Sequence, residues 1–98
     1  MRELLTEVKI SVQKEYERAA NKFGKANNSP HESYAVILEE YDEAEFAANA
    51  FEEHLRYYWQ EVKENKDTAD RLKNMCEFAE HVAAEWIQVA AMCFKANK

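Results

Sequence analysis

One glycine and one proline, Gly24 and Pro30, serve a chain of 98 residues. A many-stranded fold needs far more turn residues than that, and abundant Ala, Glu, Lys and Leu favour helix. The expected fold is all-α, a single domain spanning 1–98. Only two stretches read as turns: Gly24-Lys25-Ala26-Asn27-Asn28 and Asn65-Lys66-Asp67-Thr68. They divide the chain into three long helices, which short connections would arrange as an antiparallel bundle. A core this small makes completion by oligomerisation, as a homodimer or homotetramer, a reasonable expectation.

Apolar spacing fills in the helices. The first is expected over Arg2–Phe23, with a stripe of Leu5, Val8, Val12, Tyr16, Ala19 and Phe23 spaced three and four apart. Ser29-Pro30-His31-Glu32 opens the second: serine suits the N-cap, proline the first helical position, and Glu32 completes a capping box. Its pattern runs through Ile37, Tyr41, Ala44, Ala48, Phe51 and Leu55 to Val62, about 50 Å of helix at 1.5 Å per residue, with Asn49 as its one candidate kink. The third, with Asp67 as a plausible cap, follows to Ala96 with an expected stripe of Ala69, Leu72, Cys76, Ala79, Ala83, Trp86, Ala90 and Cys93.

Charge and composition exclude several classes. A formal net charge of −6 argues against a nucleic-acid backbone as partner, though not against a single nucleotide held through a divalent metal. No apolar run approaches the roughly 18 residues of a membrane span, and the first five residues read as helix instead of a secretion signal. Cys76 and Cys93 fall on one helix, about 25 Å apart along its axis. A disulfide tolerates at most about 7 Å between Cα atoms, so the pair reads as buried small apolar side chains in a reducing, cytoplasmic setting.

The acidic residues carry the chemistry. Glu39, Glu40 and Glu43 form E-E-x-x-E inside the second helix. Glu40 lies three after Ile37 and four before Ala44, within the apolar arc, and Glu43 lies at its edge. An unpaired carboxylate there needs a cation, a hydrogen-bond partner or a metal. From Val82 to Phe94 only Glu85 and Gln88 are polar, and they share a face one turn apart. The stretch is apolar nearly all round, so a second subunit is its expected cover. If the two polar sets face one another, a hard divalent cation such as Mg²⁺ or Mn²⁺ would relieve their repulsion and could bridge to substrate phosphates. The alternative is a solvated acidic face.

Other side chains offer less. His31, His54 and His81 lack the Glu-x-x-His spacing of a di-iron bundle. Glu77, His81 and Glu85 share a face, with local pairing on a hydrated surface as the preferred reading. Trp59, Trp86, Tyr57 and Tyr58 could stack on a base, but aromatics at this spacing more often pack. Lys63 and Lys66 complement a helix dipole, and Lys95 is the candidate phosphate contact.

Three segments in order resemble a known family. His31 to Glu43 resembles the H-E-x-Y-x-V-I-x-E-E-x-x-E segment of MazG-like proteins of phages and prophages. Tyr58-Trp59-Gln60-Glu61-Val62-Lys63 is similar to their L-W-x-x-V-K, and Glu85 to Lys95 to their E-A-I-Q-V-A-A-M-x-x-K. The match covers residues 30–95. The resemblance implies an oligomeric all-α nucleoside triphosphate pyrophosphohydrolase that uses Mg²⁺ to cleave its substrate to the monophosphate and pyrophosphate. Carried over, the family's metal positions fall on Glu40, Glu43, Glu85 and Gln88, with Glu39 an added carboxylate. The expectation is that Glu40, Glu43 and Glu85 hold the metal and Glu39 and Glu40 act in catalysis, with Gln88, Lys95 and Trp59 as candidate substrate contacts. Gln88 stands where active members carry Asp, and a neutral amide is a weaker metal ligand. The gap between the two motifs also exceeds that of the compact members. The alternative is therefore a catalytically inactive helical interaction protein on the same scaffold.

Overall fold

The computed structural model describes residues 1–98 as three α-helices: α1 Arg2–Phe23, α2 Pro30–Lys63 and α3 Ala69–Ala96. The chain is a three-helix all-α bundle. Its long hairpin, α2 against α3, is antiparallel, and α1 packs chiefly on the C-terminal part of α3. α2 runs unbroken through Asn49.

Local chemistry places each helix end. Gly24 follows α1 at φ 97°, a backbone conformation that disfavours any side chain. The Tyr16 hydroxyl donates 2.8 Å to the Lys25 carbonyl and ties this loop back to α1. At α2 the Ser29 hydroxyl accepts from the Glu32 N–H at 3.1 Å, half of the expected capping box. The Glu32 carboxylate accepts instead from the Asn28 amide. α2 ends in a Schellman motif: Asn65 sits at φ 57°, its N–H donates to Val62 O, and the Lys66 N–H donates to Glu61 O. Asp67 caps α3 from one position outside its N-cap, Thr68, by accepting from the Ala69 N–H.

Small residues let α2 and α3 approach, with Ala44 fully enclosed and Ala47 nearly so. At the hairpin's turn end, Arg71 Nε donates 2.8 Å to Glu61 and Arg71 Nη1 lies 2.9 Å from His54 Nδ1. At the opposite end Tyr16, Ala91 and Met92 form a core that Val12, Ala19, Val36 and Ile37 join.

The packing face of α3 differs from the expected stripe. Met75, Val89 and Met92 are buried, with Phe78, Val82 and Glu85 between them partly covered. Leu72, Cys76, Ala79, Ala83, Trp86 and Cys93 point outward. α3 is apolar on two adjacent faces, and α2 takes the one about a residue away from the stripe read from spacing. Burial of the cysteines is corrected with it: both are free and exposed. No helix is long and apolar enough to cross a membrane.

Candidate metal centre

Glu40 and Glu43 project from one turn of α2 toward Glu85 on α3. Each offers an oxygen, and the three oxygens lie within 4.8 Å of one another. The antiparallel hairpin makes this meeting possible, because it sets the middle of α2 beside the second half of α3. The Tyr41 and Trp86 rings, each next to one of these glutamates, meet edge to face at 5.9 Å. Glu40 and Glu85 are half-buried, and Glu43 is exposed.

No protein cation compensates the α2 carboxylates. None of the ion pairs reaches Glu40 or Glu43, and Glu85 meets only the exposed His81, at 3.4 Å. Burial raises the affinity of Glu40 for a proton, and the charges of Glu43, Glu85, Glu39 and Glu15 add to it. A set of hard oxygen donors with unrelieved repulsion fits Mg²⁺ or Mn²⁺ chemically.

Two grooves flank the cluster. One, of about 600 Å³, runs between α1 and the hairpin, with Glu15, Glu39, Glu40, Gln88, Lys22 and Lys95 along it. The other, of about 450 Å³, brings Phe46, Phe78 and His81 beside Glu43 and Glu85.

The structure thus gathers Glu39, Glu40, Gln88 and Lys95 on one groove, with Glu43 and Glu85 beside them. Trp59 is not brought there. It lies sixteen residues beyond Glu43 on the unbroken α2, about 24 Å along the axis, and stacks under the Lys63 ammonium. The Glu77–His81–Glu85 face holds only the His81–Glu85 pair, on the surface.

Sequence reasoning passed over one residue of the groove. Glu15 of α1 accepts from the Gln88 amide at 2.8 Å and pairs with Arg18 at 2.8 Å. Its spacing carries the same signal as that of Glu40: it lies three after Val12 and four before Ala19, inside an apolar stripe. Phe46 and Phe78, also passed over, share a groove with Glu43 and Glu85. Comparison with protein-family models, curated proteins and solved structures finds no match to this chain.

Proposed function

We propose that this chain is a homo-oligomeric MazG-like protein that binds a nucleoside triphosphate through Mg²⁺, or Mn²⁺, and hydrolyses it to the monophosphate and pyrophosphate. One observation carries the reading: carboxylate oxygens of Glu40, Glu43 and Glu85, from two helices, lie within 4.8 Å of each other, with no ion pair to Glu40 or Glu43 and only the exposed His81 beside Glu85. The ordered resemblance over residues 30–95 supports it.

Glu40, Glu43 and Glu85 would hold the ion. When bound, it would supply charge neutralisation at the phosphates and a more acidic water. Glu39, exposed on the groove, would take the proton of the attacking water as the bond to pyrophosphate breaks. Lys95 would receive phosphate oxygens further along the groove. Phe46 and Phe78, in the second groove, offer rings on which a base would stack.

The decisive variant is Glu40→Gln with Glu43→Gln. It is expected to abolish Mg²⁺-dependent nucleotide binding while leaving helicity near wild type. Persisting binding would place the site elsewhere. A second reading, a non-catalytic interaction protein, is favoured by Gln88, whose amide brings no charge and is occupied by Glu15. Pyrophosphate release across canonical and modified triphosphates, with Mg²⁺ and Mn²⁺, separates the two. No turnover and no metal-linked rise in Tm would select the second.

A further inference from the structure

Gln88 is the position at which the α3 pair Glu85–Gln88 lacks a second charge, and its side chain is held by a carboxylate from another helix. The Gln88 amide donates 2.8 Å to Glu15 Oε1, while Glu15 Oε2 accepts from Arg18. The Glu15 side chain is only 16% exposed, although its own helix is largely solvated. Glu15 lines the same groove as Glu39 and Glu40. The α1 helix therefore delivers a negative charge to the place where α3 supplies a neutral amide.

A second observation on the groove points to a ligand. Lys95 is nine-tenths buried, at 7% exposure, and takes part in no ion pair or side-chain hydrogen bond. No fully enclosed polar side-chain atom lacks a partner, so this ammonium reaches the surface, where Lys95 lines both this groove and the one beside Asn27, Pro30 and Tyr34. A buried ammonium without a counter-charge calls for an anion, and carboxylates without one call for a cation. A divalent cation carrying phosphate oxygens would answer both Glu40 and Lys95, which line the same 600 Å³ groove.

We propose that Glu15, held in place by Gln88, is the fourth carboxylate of the metal centre, acting on the water shell of the ion that Glu40, Glu43 and Glu85 bind. The inference rests on the metal-centre reading above. Mg²⁺ and Mn²⁺ keep several waters, and a carboxylate accepting from one of them strengthens binding without direct ligation. The Gln88 amide fixes Glu15 from one side and the Arg18 guanidinium from the other.

The test is direct titration of Mn²⁺, alone, against the full chain, with free Mn²⁺ read by electron paramagnetic resonance. Glu15→Gln is expected to weaken Mn²⁺ binding about tenfold, the loss typical of a group acting through the ligand shell. Arg18→Met removes the ion pair and keeps the carboxylate, so affinity should stay within about twofold of wild type. The swap Glu15→Gln with Gln88→Glu keeps the hydrogen bond and the net charge, and should bind within about threefold of wild type. Wild-type affinity in Glu15→Gln overturns this inference and leaves the three-glutamate centre standing. A tenfold loss in Arg18→Met, where the carboxylate is kept, assigns the effect to the Arg18–Glu15 pair within α1 instead of to a carboxylate at the metal, and also overturns it. Absence of Mn²⁺ binding in the wild type removes the centre and the inference together. Should Glu15→Gln fail to fold, the swap decides alone, with binding tenfold weaker than wild type as the overturning result.

Discussion

At Glu40, burial and four neighbouring carboxylates act in one direction, and together they hold its proton to higher pH than the ordinary value of 4.5. The folded state therefore binds this proton more tightly than the unfolded chain does. Protonation of Glu40 stabilises the fold, a contribution complete below pH 4.5 and lost as pH rises through the elevated folded value. In EDTA, wild-type Tm should fall relative to that of Glu40→Gln as pH is raised from about 4.5 toward neutrality. Saturating Mg²⁺ at neutral pH should return stability to the wild type and little to the variant. Parallel profiles for the two proteins, with and without Mg²⁺, would mean that Glu40 ionises freely in solvent. How this residue would stand was legible beforehand, because a carboxylate inside a helical apolar arc has few surroundings open to it. Glu15 obeys the same rule on α1. It went unread because its partner, Gln88, lies 73 positions away, and nothing in either helix encodes the register at which α1 meets α3.

Among the elements, the hairpin of α2 and α3 does the positioning, and its close approach depends on the lack of side-chain bulk at Ala44 and Ala47. Ala47→Leu inserts three carbons into that seam, next to Phe46 and one turn from Glu43. Overpacking of this kind costs about 1–3 kcal/mol, readable as a lowered urea midpoint. Because the helices must also part, Mn²⁺ affinity should fall with it. A midpoint unchanged or raised would show that the seam has room and that the alanines do not set the spacing. The helix boundaries themselves were legible to the residue or nearly so. Ser29, Pro30 and Gly24 act locally, and their effects do not wait on packing. The face of α3 was not. Leu72, Cys76 and Trp86 on one side compete with Met75, Val89 and Met92 on the next, and hydrophobicity alone cannot say which of two apolar stripes α2 will take. The chosen stripe carries the larger side chains Met75, Phe78, Val82, Val89 and Met92 into the seam and passes Glu85 across from Glu40 and Glu43, while the outward one, Leu72 and Trp86 apart, is mostly alanine and cysteine.

The whole molecule is too open for its length. Its radius of gyration is 17.0 Å, against roughly 13 Å for a compact domain of about 100 residues. Only eight residues are buried, while Leu4, Leu5 and Ile10 on α1 and Leu72 and Trp86 on α3 stay substantially exposed. An outward apolar stripe along α3, joined by the uncovered half of α1, exceeds the scattered exposure normal for a monomer. The proposed homo-oligomer would cover these surfaces, and Leu72 tests it without touching the carboxylates, being thirteen positions before Glu85, about 20 Å along α3. Leu72→Asp places a charge on the outward stripe while leaving Met75 and Val89 in the seam. In light scattering after size exclusion, the wild type should elute as a multiple of 11.5 kDa, and Leu72→Asp should shift toward the single chain. The wild-type Tm should rise with protein concentration, because dissociation is coupled to unfolding, and that dependence should weaken in Leu72→Asp. A wild type that remains at 11.5 kDa at tens of micromolar, and unfolds cooperatively with a Tm independent of concentration, would show that one chain closes its own core. The metal centre would then have to function from a single hairpin with α1 as its only cover, which makes the Glu15–Gln88 contact more consequential.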